Sequence, residues 1–144
     1  MPTRERADTV LAFDFGTRRI GVAVGDLATR LAHPLATIER EREADRFDAI
    51  AALLDEWKPA RLVVGLPVHA DGTPHDMTAR AQRFGRQLAG RFGLPVDYAD
   101  ERHTTHAAAS TLAEAGMGGS RAKEMRDRVA AQLILQGWLD GRPR

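Results

Sequence analysis

Two short apolar runs open the chain, Val10 to Phe15 (VLAFDF) and Ile20 to Asp26 (IGVAVGD), with Gly16-Thr17-Arg18-Arg19 between them. β-Branched runs around a short glycine-containing link predict a strand, a turn and a second strand. A third run, Leu31 to Ile38 (LAHPLATI), follows another short turn. Its Pro34 suits an edge strand, where a missing N–H is tolerated. These three strands are expected to be antiparallel. The period then changes, with Phe47, Ile50, Ala51, Leu54 and Trp57 forming the stripe of an amphipathic helix that Pro59 closes. Arg61 to Pro67 (RLVVGLP) reads as a buried strand, and Val68 to Pro74 (VHADGTP), rich in turn formers, as a loop at its C-terminal end. Met77, Ala81, Phe84 and Leu88 form a second helical stripe ending near Gly93, and Pro95 to Asp100 (PVDYAD) supplies a fifth strand. A helix is expected from Thr104 to Gly116, a break at Gly118-Gly119-Ser120, and a last helix over Arg121 to Leu139. The order β-β-β-α-β-α-β-α-α predicts an α/β fold, a mixed sheet with helices packed on it. Its β-α-β-α-β half should be parallel, with right-handed crossovers.

Length and composition narrow this picture. With 144 residues the chain has the size of one domain, read here as 1–144 with residues 1–8 and 141–144 as flexible ends. At 43% hydrophobic and 28% charged it is globular in composition. The start, MPTRERADTV, lacks the apolar stretch of a secretory signal, and no apolar run is long enough to span a bilayer, so a cytoplasmic location is expected. With no cysteine, disulfides and thiolate metal sites are excluded, and any metal must be held by oxygen or imidazole. The net charge of +1 excludes binding to polyanions by bulk charge, while leaving room for a locally basic face.

The candidate chemistry lies in three acids. Asp14 stands between Phe13 and Phe15 in the most apolar strand, where a carboxylate is costly without a partner. It is either a strand-end residue bonding the Gly16-Thr17 turn or a ligand for a hard cation. Asp127 heads the stripe Ala130, Ala131, Ile134, Leu135, Trp138, so it points toward the sheet. A cation ligand, an ordinary salt bridge and an exposed first-turn carboxylate are its three readings. Asp100, Glu101 and Arg102 cluster where the fifth strand stops. Such charges usually face water, but binding sites also gather beyond the C-terminal ends of parallel strands. Strand alternation lets only one of the two acids share a face with a given neighbour. Three acids without cysteine suit Mg2+ or Mn2+ and a phosphodiester substrate. The histidines show no metal-ligand spacing, and Arg18, Arg19, Arg80, Arg83, Arg121, Lys123, Arg126 and Arg128 are candidates for a phosphate-binding rim.

The segments LAFDFGTRRIGVAVGD, GLPVHADGT, DERHTT and KEMRDRVAAQLILQGWLD resemble the YqgF family of bacterial RNase H-like proteins. Members of that family are described as pre-16S rRNA processing nucleases and as Holliday-junction-resolvase-like. The resemblance runs from about Val10 to Asp140, with four motifs in the family's order. It implies an RNase H-like sheet of order 3-2-1-4-5 and a divalent-metal site, Mg2+ or Mn2+, held by Asp14, Glu101 and Asp127 as metal ligands and catalytic residues. It further implies nucleic-acid contacts by Thr17, Arg18, Arg19, His69, Arg102, Thr105, Lys123 and Arg126, with Gly16, Gly65 and Pro67 shaping the turns beside the site. Two departures stand out. His69 and Ala70 replace the Asn and Met expected after the GLP motif, and arginines flank Asp127 where the family more often has apolar or small residues.

The expected function is therefore a metal-dependent endonuclease acting on structured RNA, the 5′ end of precursor 16S rRNA above all, with the ribosome or its assembly intermediates as partners. The alternatives are resolution of branched DNA junctions and a non-catalytic ribosome-assembly or nucleic-acid-binding factor. The hairpin DFGTRRIGVAVG also resembles the phosphate-binding hairpin of actin-like ATPases, but those need two such domains, for which 144 residues leave no room.

Overall fold

A computed structural model of the chain describes residues 8–67, 71, 76–101 and 120–142. Strands β1 (Thr9–Phe15), β2 (Arg19–Asp26) and β3 (Leu31–Glu39) come first. Helix α1 (Glu43–Trp57), strand β4 (Arg61–Leu66), helix α2 (Asp76–Phe92), strand β5 (Val96–Asp100) and helix α3 (Ser120–Asp140) follow. The expected helix from Thr104 to Gly116 lies outside the described residues, as does most of the loop after β4. Each element otherwise falls within a few residues of its hydrophobic pattern, with one change of phase. Ala51 is exposed, and the buried side of α1 carries Arg46 beside Phe47, Ile50 and Leu54. Pro59 disfavours helical backbone in the residue before it, and α1 ends with Lys58 in the left-handed region, its N–H donating to the Leu54 carbonyl.

The five strands form one sheet of order β3-β2-β1-β4-β5, with β1–β2 and β2–β3 antiparallel and β1–β4 and β4–β5 parallel. Pro34 sits in β3, at the sheet's edge, just beyond an irregularity in register at Val22/Ala23. Strand alternation sorts the side chains into two cores. Leu11, Phe13, Ile20, Val22, Leu62 and Val64 pack under α1 and α2. Val10, Ala12, Ala23 and Val63 pack under α3 through Ala131, Ile134, Leu135 and Leu139. The α3 side is lined by small residues, and this lets a long helix lie close across the sheet. Among the described residues, no helix is long and apolar enough to cross a membrane.

Candidate active site

Asp14 shares the parity of Val10 and Ala12, so it points to the α3 side of β1, and it is buried. Glu101 follows β5 directly, and its N–H donates to the Leu66 carbonyl at 3.1 Å, which carries the β4–β5 pairing one residue past Asp100. Alternation then puts Glu101 on the same face as Ala99, which packs with the α3 core, whereas Val96 packs with the α1 and α2 core. Parity therefore selects Glu101 rather than Asp100 as Asp14's neighbour. Strand β4 lies between them and contributes Gly65. A Cβ at that position would come within 3.1 Å of the Glu101 side chain and 2.6 Å of Ile134. Glycine there leaves the space in which the two carboxyl groups meet.

The meeting has an electrostatic cost. Burial pushes the Glu101 carboxyl up to about 9, helped by the negative charge of Asp14, a side-chain hydrogen bond with Asp14, and the charge of Asp100. A proton on Glu101 relieves the repulsion between two carboxylates in contact, one buried and one half-buried.

Asp127 is buried on α3 and lines the same cleft, a space of about 380 Å3 walled also by Phe15, Thr17, Arg19, Pro67 and Met77. It does not join the Asp14–Glu101 pair directly. Its Oδ2 accepts a hydrogen bond from Arg19 Nε at 2.6 Å, a part-buried ion pair across 108 residues of sequence. Arg19, expected at the nucleic-acid interface, is thus held by an acid of the site. The close seat of α3 depends on Gly21, opposite Asp14 in the sheet, since a Cβ at position 21 would lie 1.9 Å from the Asp127 backbone oxygen.

The remaining expected residues are distributed around this centre. Gly16 forms the tight link after β1, where a Cβ would meet the Arg19 carbonyl at 2.5 Å. Thr17 and Arg18 are exposed on that link, and Lys123 is exposed on the first turn of α3. Arg126 is half-buried with its Nε enclosed and unpartnered. Pro67 accepts a hydrogen bond through its carbonyl from the buried Thr78 hydroxyl, which ties the end of β4 to α2. Arg128 turns to β3, donating to Thr37 Oγ1 at 3.2 Å. His69, Arg102 and Thr105 lie outside the described residues.

Among the described residues, no three acidic or imidazole groups converge closely enough to hold a metal ion. The donor chemistry nevertheless fits a hard cation. Asp14 and Glu101 present oxygen ligands with an excess of negative charge that a proton now offsets, and Asp127 adds a third carboxylate at the cleft wall.

Gly21 and Arg46 escaped the sequence reading. For Gly21 a signal was present: in IGVAVGD the residues Gly21, Ala23 and Gly25 alternate with Ile20, Val22 and Val24, which marks one face as a seat for a close-packed helix. Arg46 carried no signal, because a lone arginine beside an apolar stripe usually reaches water.

The sequence model of a family described as "RuvX: Holliday junction resolvase" matches residues 8–141. A protein of Dechloromonas aromatica named "Putative pre-16S rRNA nuclease" is 58% identical over 132 residues, covering 92% of this chain and 90% of that one. One of Nitrosospira multiformis with the same name is 51% identical over 140 residues, covering 97% and 93%. Among solved structures, the T. thermophilus RuvC complexed with a Holliday junction substrate aligns with a TM-score of 0.52 at 17% identity, covering 93% of this chain and 94% of that one. The Fowlpox virus resolvase with its Holliday junction DNA aligns with a TM-score of 0.53 at 9% identity, covering 91% and 98%. At these identities the structural likeness is one of fold, the RNase H-like fold that the resemblance implied.

Proposed function

Because the chain belongs to the RuvX family, we propose that it is a divalent-metal-dependent endonuclease that hydrolyses phosphodiester bonds in structured RNA and processes the 5′ end of precursor 16S rRNA. The observation that carries this reading is the contact of buried Asp14 with half-buried Glu101, in a cleft that Asp127 also lines. A protein that only bound nucleic acid would gain nothing from negative charge concentrated in a cleft that phosphates must approach. The names of the close relatives favour RNA as the substrate.

Asp14, Glu101 and Asp127 are the groups that would hold Mg2+ or Mn2+. Such an ion supplies a nucleophile at neutral pH and stabilises the charge that develops on the phosphate. Without the ion, burial and the nearby charge of Asp14 favour a proton on Glu101. Arg19 balances Asp127 and brings a positive charge to the wall of the cleft. Phe15, Pro67 and Met77 form an apolar lining that limits water around the carboxyl groups. Thr17, Arg18, Lys123 and Arg126, together with His69, Arg102 and Thr105, are the groups proposed to hold the nucleic-acid backbone.

The test is cleavage of precursor 16S rRNA by the purified protein in Mn2+. Asp14→Asn and Asp127→Asn are each expected to slow cleavage at least about a hundredfold, because metal-ion stabilisation is worth several kcal/mol. Cleavage by both variants at the parent rate would refute the mechanism. The family's description favours a second reading, resolution of DNA junctions. It requires paired cuts by a symmetric dimer, so a monomer that leaves four-way junctions intact excludes it.

A further inference from the structure

A second pocket of about 390 Å3 opens beside the carboxylate cleft, between the end of β1 and helices α1 and α2. Phe15 and Thr17 line both spaces, so the pocket begins where the cleft ends. Its base is aromatic: Phe15 lies 4.8 Å from Phe84 between ring centroids, and Phe84 lies 6.0 Å from Phe47. Against this base stands Arg46, only 8% exposed, with its guanidinium carbon 5.2 Å from the centre of the Phe15 ring.

Arg46 is an unusual residue to bury. One of its terminal nitrogens donates to the Gly16 carbonyl, its Nε has no partner, and no carboxylate among the described residues pairs with it. A guanidinium taken out of water without a counter-charge is costly, and burial lowers its pKa. An acceptor group in the pocket would take up the hydrogen-bonding capacity that the guanidinium leaves unused. Arg80 and Arg83 add two exposed cations to the wall. The wall also carries Glu41 and Glu43, and Gln87 donates to Glu43. A site for bare phosphate would gain nothing from two carboxylates and an aromatic base. A nucleotide uses all three features, since its base presents an apolar face and an edge of donors and acceptors, and its phosphate meets arginine.

We propose that this pocket takes one unstacked nucleotide of a single-stranded segment of the substrate, its base held against Phe15 and Arg46 and its phosphate against Arg80 and Arg83. The cleft and pocket share Phe15 and Thr17, so this nucleotide lies next to the bond presented to the carboxylates. An enzyme built this way prefers substrates with unpaired nucleotides beside the cut over uninterrupted duplex. The inference rests on the nucleic-acid reading above, but its test does not require cleavage.

The test is a titration of the full-length protein in EDTA with 5′-AMP, ribose 5-phosphate and a fluorescein-labelled single-stranded oligoadenylate. AMP is expected to bind about tenfold or more tighter than ribose 5-phosphate, the scale of one base contact, and to displace the oligoadenylate. Arg83→Gln is expected to weaken AMP about fivefold or more at an unchanged thermal midpoint, as for loss of one charge-assisted hydrogen bond. Arg46→Gln should weaken it further. Arg46 also holds the Gly16 carbonyl, so if that variant unfolds, the exposed Arg83 decides. Equal binding of AMP and ribose 5-phosphate would reduce the pocket to a phosphate site, and AMP that leaves the oligoadenylate in place would make it a site for free nucleotides. Either result overturns the proposal, as does an Arg83→Gln protein that binds AMP like the parent. If AMP binds as expected while precursor rRNA is not cut, the nuclease reading fails alone. If rRNA is cut while AMP does not bind, the pocket fails alone.

Discussion

Glu101 gives up its proton near 4.5 in water but holds it to about 9 in the folded protein. Between those values the folded state binds more protons than the unfolded chain, so stability falls as pH rises through this window. In EDTA, the urea midpoint is therefore expected to drop from about pH 5 to about pH 8. Glu101→Gln keeps a neutral donor beside Asp14 and should flatten that drop, leaving the variant more stable than the parent at neutral pH. Parallel pH profiles for the two proteins would show that Glu101 is not the group responsible. The sequence marked Asp14 as out of place in an apolar strand, and it marked Asp127 as the head of a buried stripe. It left Asp127 with three readings, and the structure shows an ion pair with Arg19. No spacing rule connects residues 108 positions apart, because their meeting depends on which sheet face α3 covers.

At the scale of elements, the seat of α3 on β2 decides whether Asp127 reaches the wall of the cleft. Gly21, Ala23 and Gly25 present a nearly flat face, and α3 lies close enough that its backbone at Asp127 occupies the space a side chain at 21 would need. Gly21→Ala is expected to cost at least about 1–3 kcal/mol, as overpacking does, and to push Asp127 away from the cleft. Urea unfolding measures the first effect, and loss of Mn2+ binding in calorimetry measures the second. Gly90 provides the contrast, being exposed in α2 with nothing within 4 Å of the place a Cβ would take. Gly90→Ala should stabilise the protein by about 0.5–1 kcal/mol, since alanine lowers the entropy of the unfolded chain and favours helix. If both substitutions shift the midpoint in the same direction, close approach is not the role of Gly21.

For the whole molecule, the net charge of +1 conceals a separation. Acids gather in the cleft at the C-terminal edge of the parallel strands, while Arg18 and Lys123 stand exposed on the β1–β2 link and the first turn of α3. Binding to nucleic acid should therefore be local and dependent on salt despite the near-zero total. Replacing Arg18 and Lys123 together by Gln is expected to reduce the slope of log K against log salt for single-stranded RNA by about 1.4, at roughly 0.7 per phosphate contact. Fluorescence anisotropy over a salt series measures this, and an unchanged slope would move the backbone contacts elsewhere.

Among the described residues, local pattern was enough to determine the strands, three helices and the acids that did not belong in their surroundings, because burial of apolar residues at period 2 or 3.6 is written along the chain. The motifs added the sheet order by resemblance. The resemblance already singled out Glu101, but only the tertiary structure decided that it meets Asp14, that Arg19 holds Asp127, and that Arg46 is buried in the wall of a second pocket. Each of these depends on strand parity, register and the closeness of helix to sheet. Those quantities are set when distant segments pack, and no single segment contains them.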